Sequence, residues 1–426
     1  MRKKSYSIFI IICVMMCAIL TGCSKSGAPN SLHESKNRLA YARTYEAMAD
    51  SSKDGVYIQP LSSIPDLFYL DRETGKIVFL CGKADCEHGK DGNTECNAYF
   101  QEGLIFDSIQ IVNDKLYVLG QYTHDKNSTV YRMDLDGSNR EEIATVNAPA
   151  AASAARIVED SLFFIGMPDE GDFSAQHIYR QNLKNKENTA EDIFPMKNDN
   201  EKWASRVINE MFVDEQEKKL YFTEDRYAED LTHEGAIWMY DISTNTFEEI
   251  FESPNFYTYF VDDEWVYYSE FEAGSDEVLA APELTTFEPV KRWNYKTKET
   301  EETNIPGGFL CGYDGNYCYI RTYQDTAWTG VKSIDVYTLE GKLVESIETT
   351  VDDYQEYSAV NIGTTYDAIV MHHMRLDKPQ TYISEDIYVY DKAMIGTGEG
   401  TWRKVAIDSW FNEKTNKIEI KITQEK

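Results

Sequence analysis

The chain has 426 residues, with 73 Asp and Glu against 42 Lys and Arg, so its formal net charge is −31. A surface that acidic repels nucleic acid and anionic lipid headgroups, which excludes both as direct partners. The 29 Tyr and 19 Phe, with few long Leu/Ala-rich stretches, favour β-structure, because aromatic and β-branched side chains fit a pleated, half-buried surface.

Arg2, Lys3 and Lys4 open the chain, an almost wholly apolar run follows from Ser7 to Leu20, and Thr21-Gly22-Cys23 closes it. A charged start, a short apolar region and a small-residue cleavage site predict a secretory signal over residues 1–22. The apolar run falls short of the roughly 20 residues that a spanning helix needs. An uncleaved signal anchor is the alternative. Leu20-Thr21-Gly22-Cys23 resembles the lipobox of bacterial lipoproteins. That resemblance implies cleavage before Cys23, lipidation of its thiol and a place on the outer face of a cell membrane. Residues 23–38, rich in Ser, Lys, Asn and Gly, carry no apolar period and read as a flexible tether. Fifteen such residues reach about 20 Å.

Residues 39–426 are expected to form one domain, since no Pro- or Ser-rich linker divides them. A turn signal followed by a short apolar-aromatic run recurs along this span. Examples are Asp54-Gly55-Val56-Tyr57, Asp114-Lys115-Leu116-Tyr117, Asp160-Ser161-Leu162-Phe163 and Asp263-Glu264-Trp265-Val266. Aligned on the first apolar residue, the units start at 56, 116, 162, 220, 265, 317 and 369, between 45 and 60 residues apart. Most are followed by two short runs around a polar turn, as in Ile237-Trp238-Met239-Tyr240-Asp241-Ile242-Ser243. Two strand pairs per unit make a four-stranded sheet, and a series of such sheets predicts an all-β fold, a single β-propeller of about seven blades. Six and eight blades are the alternatives. The segment from Trp410 to Ile420 reads as an eighth half-unit that either pairs with Tyr41 to Met48 to close the ring or forms a partial blade.

Tyr131-Arg132-Met133-Asp134-Leu135-Asp136-Gly137-Ser138 resembles blades of the TolB-like and lipoprotein-receptor-like propellers. Leu80-Cys81, Asp85-Cys86-Glu87-His88 and Glu95-Cys96-Asn97-Ala98-Tyr99 make the chain similar to a group of propeller lipoproteins from Gram-positive anaerobes. The likeness implies fold and location, and no general activity.

In a propeller the turns within strand pairs lie on one face, and the loops between pairs and between blades on the other. Here the first set is tight, while long insertions are expected at 121–129, 167–176, 223–236, 269–290, 321–331 and 372–386. Functional residues concentrate in long loops on a rigid scaffold. Tyr122, His124, Tyr227, His233, Tyr323 and Trp328 are therefore the candidate ligand-binding residues, against the plainer reading of polar loops in solvent. His372-His373, expected at a strand end, would point to opposite faces and make a poor chelating pair.

If Cys13 and Cys17 leave with the signal and Cys23 is lipidated, five cysteines remain, an odd number that cannot all pair within one chain. Cys81, Cys86, His88 and Cys96 fall within one polar connection and form a complete tetrahedral set for a structural zinc. One disulfide plus a spare thiol is the competing reading, favoured by export. Cys311 and Cys318 flank Asp314-Gly315, and a two-residue turn there would set them directly opposite, within disulfide range. Two buried thiols are the alternative.

There is no Gly-x-Ser-x-Gly elbow, His-Glu-x-x-His motif, phosphate-binding Gly loop or full calcium loop. Asp134-Leu135-Asp136-Gly137-Ser138 lacks the later calcium ligands and reads as a hairpin turn. Two function classes follow. One is a monomeric, lipid-anchored binding or scaffold propeller for an extracellular peptide, glycan or protein; the other is a hydrolase or lyase with a site assembled across blades.

Overall fold

The computed structural model describes residues 39–40 and 48–424. Within the latter span, 61–65, 90–91, 101–103, 123–126, 147–152, 168–175, 185–188, 195–202, 272–286, 324–330, 350–357, 377–381, 413–416, 216, 231 and 366 are not described. The lipidation candidate Cys23 and the segment 41–47 therefore lie outside the described residues, as do His124 and Trp328.

Seven antiparallel sheets follow one another along the chain, and they form a seven-bladed β-propeller. Blade one holds β2 (Ala49–Ser51), β3 (Gly55–Ile58), β4 (Phe68–Asp71) and β5 (Lys76–Phe79). Blade two holds β6 (Leu104–Val112), β7 (Lys115–Tyr122), β8 (Ser128–Asp134) and β9 (Glu141–Val146). Blade three runs from β10 (Ser153–Val158) through β11 (Ser161–Gly166) and β12 (His177–Asn182) to β13 (Glu191–Phe194). Blade four has β14 (Ser205–Asp214), β15 (Lys219–Tyr227), β16 (His233–Asp241) and β17 (Thr246–Ser253). A short β1 (Leu39–Ala40) adds to the β14 edge of that sheet, with Leu39 opposite Asp214. Blade five is β18 (Phe256–Asp262), β19 (Trp265–Phe271), β20 (Lys291–Asn294) and β21 (Glu299–Glu302). Blade six is β22 (Phe309–Tyr313), β23 (Cys318–Tyr323), β24 (Val331–Tyr337) and β25 (Leu343–Glu348). Blade seven has five strands: β26 (Ser358–Thr364), β27 (Ala368–Leu376), β28 (Tyr382–Asp391), β29 (Arg403–Asn412) and β30 (Lys417–Gln424).

The sequence units at 56 to 369 mark the start of the second strand of each blade, with Tyr317 one residue before β23 and the other six on their strands. A buried apolar core lies between each neighbouring pair of blades. Blades one and seven share one too, in which Val56, Ile58, Phe68 and Leu70 meet Val370, Ile387, Val389 and Val405. Arg72 of blade one also reaches Asp391 at 3.2 Å and Asp367 at 3.4 Å. Burying each large aliphatic side chain contributes about 1.5–3 kcal/mol, against about 0–1 kcal/mol for the partly exposed Arg72–Asp391 pair, while the attraction between Arg72 and the buried Asp367 is offset by desolvation. Apolar packing therefore closes the ring.

Three expectations change. The segment at 410–420 belongs to β29 and β30, which pair with each other at the outer edge of blade seven, so it is not an eighth unit. The spans 223–236 and 372–386 are long hairpins rather than long loops: Tyr227 pairs with His233, and Leu376 with Ile383. His372 and His373 lie inside β27, 2% and 1% exposed, with His372 Nδ1 2.8 Å from Glu385 Oε1.

Candidate metal centre

Blade one ends at Phe79, and residues 80–103 carry the chain to blade two. The exit is fixed by Leu80, whose N–H donates to the Leu67 carbonyl at 2.9 Å. The return is fixed by the Leu67 N–H, which donates to the Ala98 carbonyl at 3.0 Å, and by the bridge between Asp66 and Tyr99. Leu80, Cys96, Ala98, Tyr99 and Phe100 are all buried in the core between blades one and two. Arg140 of blade two donates to the Tyr99 carbonyl at 2.6 Å and lies 4.2 Å from the Phe100 ring centre. Gly137, at φ +78°, lets the β8–β9 turn come in beneath: a Cβ there would sit 2.7 Å from the Leu80 carbonyl oxygen. Both ends of the connection are therefore anchored, which leaves its middle to fold on itself.

The middle brings Cys81, Cys86, His88 and Cys96 together, with one ligand atom from each lying within 4.8 Å of all the others. Tetrahedral zinc with metal–sulfur bonds of about 2.3 Å would set two sulfurs about 3.8 Å apart. His88 Nδ1 lies 3.5 Å from Cys96 Sγ, so this ring nitrogen faces the cluster. The imidazole stacks on Phe79 with ring centres 5.4 Å apart. The Asn97 N–H donates to Cys81 Sγ at 3.4 Å, and Asn93 Nδ2 donates to Cys86 Sγ at 3.6 Å. Such N–H donors around sulfur stabilise thiolates and orient the ligands. Burial alone would raise the Cys81 pKa, but the N–H groups of Lys83 and Asn97 and the thiols of Cys86 and Cys96 outweigh it and bring it below the ordinary thiol value. Burial pushes Cys96 up to about 12. A cation at the centre reverses that, because a coordinating thiol is deprotonated outright. The donor set fits zinc, and Cys81, Cys86 and Cys96 are free thiols in this arrangement.

The Cys311 and Cys318 expectation is corrected. Asp314 Oδ1 accepts from the N–H groups of Asn316 and Tyr317, each at 3.0 Å, so the turn takes four residues and Tyr313 pairs with Cys318. A bulge between Leu310 and Gly312 then leaves Cys311 out of the ladder. Cys311 packs in the core between blades six and seven, Cys318 in that between blades five and six. Neither is joined in a disulfide, and Cys311 Sγ donates to the Tyr319 carbonyl.

The ligand-binding candidates fall on different blades: Tyr122 ends β7 and Tyr323 ends β23. Among the described residues only Tyr227 and His233 come together, with ring centres 5.1 Å apart. His233 also stacks on Phe256 at 4.0 Å and places Nε2 3.0 Å from Asp225 Oδ1. Beside it Arg226 meets Glu224 at 2.8 Å, Glu234 at 3.1 Å and Glu249 at 2.6 Å, and Trp238 donates to Glu224 at 2.9 Å. Sequence reasoning missed this network. Its only signal was the charged alternation at Glu224 and Arg226, which has no meaning until the β15–β16 register is known.

Comparison with solved structures supports the fold. The chain is similar to a prolyl endopeptidase whose inter-domain dynamics were analysed, at 11% identity and a TM-score of 0.52, over 93% of this chain and 56% of that one. It thus spans a little over half that structure's length. It also aligns with the β-propeller domain of the Trilobed protease from Pyrococcus furiosus, at 13% identity and a TM-score of 0.47, over 76% of this chain and 96% of that one. An oligogalacturonate lyase in complex with manganese aligns at 12% identity and a TM-score of 0.43, over 74% of this chain and 86% of that one. No protein-family profile matches the sequence, and no curated protein does. At these identities the likeness is one of fold.

Proposed function

We propose that this chain is a lipid-anchored, extracytoplasmic β-propeller that binds or scaffolds a peptide, glycan or protein, with its first inter-blade connection stapled by a structural zinc. Cys81, Cys86, Cys96 and His88 through Nδ1 would hold the ion. Its chemistry there is to neutralise the thiolates and tie the connection to the ring.

The observation that carries the reading is the convergence of these four side chains. Four protein ligands fill a tetrahedral zinc and leave no open position for water or substrate, which marks a structural site. The saturation of Arg226 by three carboxylates points the same way, since those groups already serve one another. The lipobox at Leu20-Thr21-Gly22-Cys23 and its likeness to propeller lipoproteins support attachment through Cys23.

The test is the metal content of full-length protein purified without chelator, read beside its intact mass after alkylation with and without reductant. About one zinc per chain, lost in His88→Ala, is the expected result. No metal, with a two-proton mass deficit between two of the three cysteines, would replace the zinc with a disulfide. For anchoring, Cys23→Ala is expected to lose both the lipid mass and membrane retention; a lipidated mutant would overturn that part alone.

A further inference from the structure

We infer that the cleft between blades four and five, on the tight-turn face, is a docking groove for a peptide bearing lysine or arginine. This surface lies opposite the long connections and does not depend on the zinc.

The cleft has a volume of about 690 Å³ and is lined by the turn residues of both blades. That volume lies within the range of ordinary ligand sites. Six carboxylates line it, among them Asp214, Glu217, Asp263 and Glu264, with the rings of Tyr221, Trp265 and Tyr295; Lys219, also in the lining, is paired with Glu217 at 3.7 Å. Tyr221 is the independent pointer to a ligand. It is 3% exposed and packed on Phe212 with ring centres 5.1 Å apart, yet its hydroxyl makes no hydrogen bond among the described residues. The ring is buried while the hydroxyl opens to the cleft, where an incoming group can meet it. Burial, together with Tyr295, Asp214, Glu217 and Asp263 around it, holds the phenol well above its usual pKa, so it stays neutral beside those carboxylates.

The molecule shows what such a surface does with a cation. At the wall of the cleft Lys296 Nζ lies 4.8 Å from the Tyr295 ring centre and 3.1 Å from Glu248 Oε2 on the neighbouring blade. Arg292 likewise covers Trp265 at 4.3 Å while donating through Nε to Glu301 at 2.8 Å. Ring plus carboxylate is thus used twice here for the chain's own basic side chains. Asp263 and Glu264 make no ion pair among the described residues, so the same combination beside Tyr221 is open to an incoming cation. Among the described residues only the Cys/His set brings three or more metal-ligating atoms together. The cleft carboxylates are therefore spread out, which suits an extended organic cation better than a metal ion. The net charge of −31 draws cations towards the surface generally, and the cleft would select among them.

The test is binding of a fluorescent hexalysine peptide to the full chain in detergent, at low and moderate salt. Hexalysine should bind and weaken with salt, while hexaglutamate and acetylated hexalysine should not bind. The double variant Asp263→Asn, Glu264→Gln should weaken binding about tenfold, and Tyr221→Phe, which keeps the ring, about threefold. Glu302→Gln with Glu348→Gln removes the same charge from exposed outer strands and should change binding by less than about twofold. If that control weakens binding as much as the cleft variant, attraction is general and the groove is overturned. Acetylated hexalysine binding equally well, or calcium alone displacing the peptide at matched ionic strength, would overturn it too.

Discussion

Cys81, Cys86 and Cys96 sit in a connection between blades, whereas Cys311 and Cys318 sit on paired strands within one. Both groups are close in sequence, and both read as candidate cross-links. Among the described residues the backbone of the connection is tied to blade one at Leu80, Ala98 and Tyr99, and the span between brings its thiols and imidazole together. On the strands the ladder decides. A four-residue turn and a bulge place Cys311 and Cys318 in different inter-blade cores. A loop can bring reactive groups together by local choice, while a strand places them where register sends them.

The largest expected effect tests the first half of this comparison. Zinc removal by a chelator, or His88→Ala, should destabilise the chain on the order of 5 kcal/mol, because metal binding energy is folding energy where the site forms only in the fold. The check is chemical denaturation with and without zinc restored. A midpoint indifferent to chelator would mean that the connection holds itself without metal.

The next effect tests what sets the register on blade six. Asp314, which shapes the turn, is itself buried at 2% exposure and paired with Lys392 Nζ at 3.2 Å from blade seven. Tyr319 donates its hydroxyl to the same carboxylate. Lys392→Met leaves Asp314 buried without its cation and should cost about 3 kcal/mol. Adding Asp314→Asn should recover part of that loss, since the Asn side-chain oxygen still accepts from the turn while no charge stays buried. Equal stability of single and double variants would show that the pair does not hold the turn.

Much of the ring was legible in the sequence, because each blade restarts with a turn and a buried second strand, and both leave residue-level marks such as Asp54-Gly55-Val56 and Asp263-Glu264-Trp265. The clustering of Cys81, Cys86, His88 and Cys96 was legible for a related reason: all four belong to one connection, so sequence proximity stands in for spatial proximity. Three features were not. The turn at Asp314 depends on a side chain accepting two N–H groups, which a dipeptide rule for Asp-Gly overlooks. The long hairpins at 223–236 and 372–386 carry charged residues that pair with each other across strands, so a polar run resembles a loop. The cleft joins residues from 214 to 296 across two blades, and no local pattern announces it.

The smallest expected effect returns to the strand cysteines. Cys311 and Cys318 are both fully buried, and burial pushes the Cys318 thiol up to about 12, so it carries little thiolate at neutral pH. Because their sulfurs face different cores, Cys311→Ala and Cys318→Ala should each cost only about 1 kcal/mol, the cavity left by one small side chain. Their effects should add, because the sites share no bond. Neither change should alter zinc content. Alkylation under native conditions should modify Cys81, Cys86 and Cys96 only after chelation, and should reach Cys311 and Cys318 only on unfolding. If the double variant instead costs much more than the sum of the singles, and unreduced protein lacks two protons at Cys311 and Cys318, the two strands carry a cross-link and the contrast with the connection disappears.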